Sequence, residues 1–189
     1  MRMRIPFLAA LIFLTLSSAA QRAIDPAHST LTVRAYKSGL FSGFAHDHEV
    51  SAPITSGTID DTAGSAGVQL KIDARDLKVL DQKLEEDKRA EVQKTMHSDK
   101  VLDSGRFPNI EFASTKVQSN GQDKWTVSGD LTLHGETHPV TMEVTRQNGH
   151  YLGSVTFKQT QFGITPVSIG GGTIKVKDEV KIEFDVVAK

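Results

Sequence analysis

Between Trp125 and Val144 the sequence alternates between apolar and polar residues on either side of a short polar turn. Because successive side chains of a β-strand point to opposite faces, this pattern predicts two strands with one buried and one solvated face each. Half-buried strands of this kind are typical of antiparallel sheets. The apolar members of the pattern are Trp125, Val127, Leu131, Leu133, Val140, Met142 and Val144.

The same alternation recurs along most of the chain, from Ser29–Tyr36 near its start to Val180–Val186 near its end. Turn-forming sequences such as Asp61–Gly67 and Asn148-Gly149 separate the predicted strands. Many short strands joined by short turns indicate an all-β fold, either a barrel or a sandwich.

One segment in the middle of the chain departs from this pattern. Asp81–Met96 is rich in Glu, Lys, Gln and Arg, which favour the helix. We therefore expect one helix inserted among the strands, with Asp81 as the residue that caps its start.

Residues 1–20 have the pattern of a secretory signal peptide. Arg2 and Arg4 precede the apolar run Phe7–Leu16, which is too short for a comfortable membrane span, and Ser18-Ala19-Ala20 supplies the small residues of a cleavage site. We expect cleavage before Gln21. Residues 21–189 then form one exported domain that contains no further apolar run of membrane-spanning length.

Composition excludes several classes of function. The chain has no cysteine, so it contains neither disulfides nor thiolate metal ligands nor a cysteine nucleophile. Its net charge is −1 and it has no basic block, which argues against nucleic acid as a partner.

Four segments stand out in order along the chain: Ile24–Ser29 (IDPAHS), Arg106–Phe112 (RFPNIEF), Gly129–Val140 (GDLTLHGETHPV) and Phe162–Ile164 (FGI). Together they resemble the YceI family of exported, lipocalin-like isoprenoid-binding proteins. Each segment is a weak signal by itself. Their order and spacing behind a predicted signal peptide make the resemblance specific, and it covers nearly all of residues 21–189.

The resemblance implies an antiparallel, eight-stranded, lipocalin-like barrel with one helix inserted mid-chain. The barrel would enclose a hydrophobic tunnel for an isoprenoid lipid of the quinone or polyprenol type, with no other cofactor required. The implied function is transport, storage or stress protection of that lipid. The implied location is the periplasm, with release into the medium as the alternative. The expected partner is a hydrophobic or amphiphilic small molecule, and the sequence leaves a homodimer open.

The inward-facing apolar residues are the candidate ligand contacts. Their alternative role is to fill a solid core, as side chains do in the interiors of small barrels. The residues expected to line the tunnel are Leu31, Val33, Phe112, Trp125, Val127, Leu131, Met142, Phe157 and Phe184.

His46 and His48 form a second candidate site, for a divalent metal. Residues two apart on a strand project from the same face, which allows two imidazoles to bind one metal ion. The same segment alternatively contacts a ligand head group, or is an ordinary polar strand face. The third metal ligand would come from among His28, His97, His134 and His138.

No convincing catalytic motif is present. Asp25 and His28 are interpreted as structural caps, and Ser29 lacks the glycines of a nucleophile elbow. Gly170–Gly172 precedes a predicted strand, whereas a phosphate-binding loop would precede a helix. The sequence therefore predicts a binding protein and not an enzyme. The alternative is a His-dependent metal-binding or redox enzyme on the same barrel, and a structural envelope protein is a third hypothesis.

Overall fold

The computed structural model describes residues 21–38, 47–169, 171 and 173–189. The predicted signal peptide, His46, Gly170 and Gly172 lie outside the described residues. The described chain forms twelve strands, one α-helix, α1, at Glu86–His97, and two short 3₁₀ helices at Ala74–Asp76 and Gln159–Phe162. The strands are β1 (Arg22–Ala23), β2 (Thr30–Ser38), β3 (His48–Ser51), β4 (Ile54–Asp60), β5 (Gly67–Asp73), β6 (Lys78–Val79), β7 (Asn109–Ser119), β8 (Lys124–Leu133), β9 (Glu136–Gln147), β10 (His150–Lys158), β11 (Ser168–Ile169) and β12 (Ile174–Val187).

All of these strands belong to one antiparallel sheet, so the predicted all-β fold with one inserted helix is confirmed. The strand order is β1-β4-β5-β7-β8-β9-β10-β12-β2-β3-β6, and β11 pairs with the start of β12. Eight strands of seven or more residues form the wall: β2, β4, β5, β7, β8, β9, β10 and β12. The four short strands β1, β3, β6 and β11 are additional to the predicted eight.

The stretch that contains β3 and β4 connects the two ends of this strand order. β3 pairs with β2, whereas β4, two residues further on, pairs with β5. Pro53 lies between them and has no backbone N–H, so it cannot continue a ladder on both sides. Because the ladder breaks at this proline, the chain pairs with β2 before it and with β5 after it. This stretch therefore connects two parts of the barrel wall that are far apart in the strand order.

The N-terminal residues make a second connection between the edges. Arg22 in β1 pairs with Ile59 in β4, and Ile24 forms a bridge with Ala188 just beyond β12. The Asp25 amide also donates to the Val187 carbonyl at 2.8 Å. The N-terminal segment therefore lies between β4 and β12, and the sheet curls into a barrel.

The alternation predicted from Trp125–Val144 describes β8 and β9 correctly. Val127 pairs with Met142 and Trp125 pairs with Val144, so apolar residues of both strands share the inner face. At the end of the barrel where β10 leads into a short 3₁₀ helix, Phe162 has no exposed surface. Its ring packs edge-on against Phe157 at 5.1 Å and fills this end with aromatic side chains.

The predicted start of the helix is wrong. Helix α1 begins at Glu86, and the preceding Glu85 makes no side-chain capping bond. Asp81 is instead buried, and its carboxylate accepts hydrogen bonds from the Glu49 amide at 2.7 Å and from His48 Nδ1 at 2.6 Å. This tertiary pairing with β3 explains why a residue type that favours helix starts does not serve as one here.

Helix α1 packs on the core through the buried Met96 and the partly buried Val92, and one amide side chain adds hydrogen bonds to the sheet. Gln93 accepts a hydrogen bond from the Val79 amide and donates one to the Leu77 carbonyl, both at 2.7 Å. Because β6 is an edge strand, its outer N–H and C=O groups need partners other than another strand. Gln93 supplies a partner for the Val79 N–H of β6 and for the Leu77 carbonyl just before it, which adds to the apolar packing of the helix.

We expect Phe162→Ala to lower the free energy of unfolding by about 3–5 kcal/mol, because the change leaves a cavity where a fully buried ring packs. Urea denaturation of both proteins measures the difference. The matched control is Leu80→Ala, since Leu80 is 40% exposed and its loss should change stability by no more than about 0.5 kcal/mol. Equal losses for the two variants would contradict a structural role for the aromatic end.

Candidate ligand-binding cavity

The barrel encloses an apolar cavity of about 160 Å³. Inward side chains of the wall strands surround it, and most of its surface is hydrocarbon. Seven of the predicted tunnel residues line the cavity: Leu31, Phe112, Trp125, Val127, Leu131, Met142 and Phe184.

Val33 and Phe157 lie outside the cavity lining. Phe157 is buried against Phe162 in the aromatic end of the barrel. Val33 pairs with Ile182 and Val50 and contributes to the general core. Alternation identifies the inner face of each strand correctly, but it does not show how far the cavity extends along the barrel.

Two inward-facing glycines make room for large rings beside the cavity. A Cβ atom added at Gly153 would lie 2.5 Å from Cζ of Phe184, and one added at Gly129 would lie 2.5 Å from Cζ of Phe112. Each phenyl ring therefore occupies the space that a side chain on the neighbouring strand would fill. The rings cover the glycine backbone, which keeps them against the wall of the barrel.

A cluster of polar residues borders the cavity at the end opposite Phe162. We call Arg22, Asp61, Arg146 and Tyr151 the rim cluster. Asp61 Oδ2 accepts hydrogen bonds from the Tyr151 hydroxyl at 2.7 Å and from Arg146 Nη1 at 2.6 Å, and Arg22 Nη2 lies 3.1 Å away. Three donors from three different strands thus converge on one carboxylate oxygen.

The rim cluster joins the cavity to solvent. Asp61 and Tyr151 line the cavity, whereas the arginine side chains are 35% and 40% exposed. The guanidinium group of Arg146 lies 5.9 Å from the centre of the Trp125 ring, and that of Arg22 lies 5.8 Å from the Tyr151 ring. Both cations therefore contact aromatic walls of the cavity.

Electrostatics fix the protonation states within the rim cluster. Burial raises the pKa of Asp61, but the hydrogen bond from Tyr151 and the charges of Arg22 and Arg146 outweigh it, so the pKa lies below its usual value. Burial, followed by the hydrogen bond to Asp61, raises the pKa of Tyr151. At neutral pH, Asp61 is therefore an anion and Tyr151 a neutral donor.

The predicted metal site is described only at His48, because His46 lies outside the described residues. His48 Nδ1 is 2.6 Å from the buried Asp81 carboxylate. Within the described ranges no three His, Asp or Glu side chains converge in a group that would hold a metal ion. Of the four candidates for a third ligand, His28 lies beside Asp25 and His97 beside Ser104, whereas His134 and His138 both contact Phe162, one at its carbonyl and the other at its ring.

Sequence reasoning missed the rim cluster. Tyr151 shares the inward face of its strand with Val155, so alternation did indicate that it points into the barrel. No local pattern connects Arg22, Asp61 and Arg146, since they lie in distant parts of the sequence and meet only when the barrel closes.

The fold and the cavity define a lipocalin-like antiparallel barrel with an apolar interior. A family model, the YceI-like domain, matches residues 23–188, and the chain therefore belongs to the YceI-like family. The crystal structure of Burkholderia cenocepacia BcnA is similar, with a TM-score of 0.68 and 21% identity over 88% of this chain and 99% of that one. A Campylobacter jejuni YCEI protein has a TM-score of 0.51 and 15% identity over 74% of this chain and 81% of that one. These two likenesses concern the fold.

Curated relatives match over shorter segments. A UPF0312 protein of Shewanella denitrificans is 33% identical over 104 residues, which is 50% of this chain and 54% of the relative. A UPF0312 protein of Vibrio vulnificus is 42% identical over 64 residues, or 34% of each chain. The matched segments thus span between about a third and about half of these relatives. Among the described residues, no helix has the length and apolar character needed to cross a membrane.

We expect Gly153→Ala to destabilise the protein by about 1–3 kcal/mol, because the new methyl group would overlap both the Glu143 carbonyl oxygen on the neighbouring strand and the Phe184 ring. Within an ordinary strand the same change is stabilising by about 0.5–1 kcal/mol, so the sign itself is the test. Urea denaturation measures it. Ser154→Ala, at the exposed neighbouring position of the same strand, is the control and should have little effect. A stabilised Gly153→Ala protein would show that Phe184 does not depend on the glycine.

A second prediction concerns pH. A carboxyl group whose pKa is lowered by folding contributes stability above its unfolded pKa of about 3.9, and that contribution is lost as pH falls through the lower folded value. We expect Asp61→Asn to lower the free energy of unfolding by about 1–3 kcal/mol at pH 7. The difference between the two proteins should shrink as pH falls below about 4. Denaturation curves at several pH values check this, and a difference independent of pH would contradict it.

Proposed function

We propose that this protein is an exported carrier that holds the apolar part of an amphiphilic lipid, of the isoprenoid quinone or polyprenol type, inside its barrel. Transport, storage or stress protection of the lipid would follow from removing its hydrocarbon from water. The observation that carries the proposal is an apolar cavity inside a closed wall, bordered at one end by polar donors. Membership of the YceI-like family supports it.

The size of the cavity sets the mode of binding. A dry apolar cavity of roughly 150 Å³ admits a benzene-sized ring, whereas drug-sized ligands occupy pockets of about 300–1,000 Å³. At about 160 Å³, the cavity accepts a ring or a short segment of chain as it stands. A longer prenyl chain would require lining side chains to move, and Met142 is suited to this because methionine is unbranched and flexible.

Burial of hydrocarbon is sufficient for useful affinity. Each methylene group removed from water contributes about 0.8 kcal/mol, so a few isoprene units need neither a metal nor a catalytic side chain. A binding function without catalysis is therefore the simpler proposal. The leader pattern of residues 1–20 supports export, with the periplasm as the proposed location and the medium as the alternative.

One observation favours a second candidate, a His-dependent metal-binding or redox enzyme on the same barrel. Histidines that bind metals commonly direct their other ring nitrogen to a carboxylate, and His48 has such a partner in Asp81 at 2.6 Å. His46 would be the second ligand. A double change of His46 and His48 to alanine should then remove the metal from the purified protein.

Native mass spectrometry of the protein, exported by a host that makes quinones and polyprenols, tests both candidates. We expect a stoichiometric adduct with the mass of an isoprenoid lipid, which organic extraction removes. An adduct with another lipid mass would support a carrier with a different ligand. A metal-sized adduct without lipid would favour the second candidate, and a protein without any adduct would contradict both.

A matched pair of variants ties the adduct to the cavity. Met142→Trp should fill the cavity and abolish the lipid adduct. Thr141→Trp places the same side chain on the exposed face of the same strand and should leave the adduct unchanged. Circular dichroism of both variants checks that they fold. Retention of the lipid by folded Met142→Trp would place its binding outside the cavity.

A further inference from the structure

We propose that the rim cluster is a binding site for an anionic head group, and that the carboxylate of Asp61 occupies the position that a ligand carboxylate takes. The preferred ligand would then be an amphiphile with a single acidic group, such as a long-chain carboxylic acid. This inference rests on the proposed carrier function, and it assigns the carried amphiphile an acidic head group in place of the neutral head of a quinone or polyprenol.

The geometry of the donors carries the proposal. Tyr151 OH, Arg146 Nη1 and Arg22 Nη2 lie 2.7, 2.6 and 3.1 Å from the same oxygen, Asp61 Oδ2. Hydrogen bonds from guanidinium groups to a carboxylate are among the strongest in proteins, and the planar guanidinium matches the shape of a carboxylate. Any carboxylate oxygen placed at this point would receive the same three donors.

The donors of the rim cluster lie on strands, whereas its acceptor lies on a loop. Arg22, Arg146 and Tyr151 belong to β1, β9 and β10 of the barrel wall. Asp61 follows the end of β4 and begins a loop of small residues, Asp61–Ala66, in which Gly64 has a positive φ of 92°. Binding of a ligand carboxylate would require this loop to withdraw Asp61 while the wall strands keep the donors in place.

Movement of this loop would also open the cavity. Asp61, Ala66 and Gly67 all contribute to the lining, so the loop covers the end of the cavity next to the rim cluster. Asp60 anchors the loop, since it accepts hydrogen bonds from the Thr62 amide at 2.8 Å and the Ser65 hydroxyl at 2.9 Å. Displacement of the loop would break these two hydrogen bonds, and it would both free the donors and admit the hydrocarbon chain.

The other charged neighbours permit a negative head group. Arg146 retains Asp123 as a partner, with its Nε 2.8 Å from Asp123 Oδ1. Arg22 is paired with Asp61 and also interacts with the charge of Asp60, so withdrawal of Asp61 removes one of the two carboxylates near it and makes room for a ligand carboxylate. Because Phe162 and Phe157 fill the opposite end, the chain enters tail first and its head group stays between the half-exposed arginines.

The test compares two ligands with the same tail, dodecanoic acid and 1-dodecanol. Each is titrated into lipid-free full-length mature protein at pH 7, in competition with the neutral fluorescent probe N-phenyl-1-naphthylamine. We expect the acid to bind at least about tenfold more tightly than the alcohol, a difference of about 1.4 kcal/mol. Arg22→Gln should remove this preference by weakening the acid alone.

The variant Asp61→Asn distinguishes a head-group site from a cluster in which Asp61 only stabilises the fold. It removes the competing carboxylate but keeps the size of the side chain, so the acid should bind several-fold more tightly while the alcohol is unaffected. Arg75→Gln, which breaks an ion pair with Asp73 outside the cavity, is the matched control and should change neither affinity. Circular dichroism confirms that each variant is folded.

The outcomes separate this inference from the function on which it rests. Equal binding of acid and alcohol by the unmodified protein, unchanged in the variants, would overturn the head-group site and leave the carrier function standing. Failure of both ligands and of the probe to bind would contradict the carrier function as well. Weaker acid binding by Asp61→Asn would show that Asp61 supports the site and does not stand in for the ligand.

Discussion

Closure of the sheet is the constraint on which the rest of this structure depends. An open sheet with such strongly apolar inner faces would expose both its hydrocarbon and its edge strands to water. The chain closes its sheet by two local devices, the break at Pro53 between β3 and β4 and the bridge from Ile24 to Ala188. The cavity exists because these two connections hold opposite edges of the wall together.

In a closed barrel, inward side chains either fill the interior completely and form an ordinary core, or leave a cavity in which a ligand can bind. Here Phe112 and Phe184 rest over Gly129 and Gly153 on the neighbouring strands. A larger residue at either glycine would displace the adjacent phenyl ring from its position against the barrel wall. Small and large inward residues on adjacent strands thus leave apolar space at the centre of the barrel.

The sequence predicts those features that depend on neighbouring residues. Alternation identifies the wall strands and their inner faces, and composition identifies the helix. The start of the helix could not be predicted, because Asp81 is used by His48 and Glu49, residues of a distant strand. Alternation places Phe157 on the inner face of its strand, but it does not show that the ring packs against Phe162 of the following 3₁₀ helix and away from the cavity.

The two ends of the barrel differ in chemistry, and that difference bears on what the cavity can hold. One end is filled by aromatic rings in edge-to-face contact, with Phe157 and His138 against Phe162. The other carries Arg22, Arg146 and Tyr151 around a single carboxylate, all of which would be costly to desolvate without partners. A purely apolar molecule would satisfy only the interior, whereas an amphiphile satisfies both the interior and the rim. This difference between the two ends of the cavity therefore argues for a ligand with a polar head and an apolar tail, bound in one orientation.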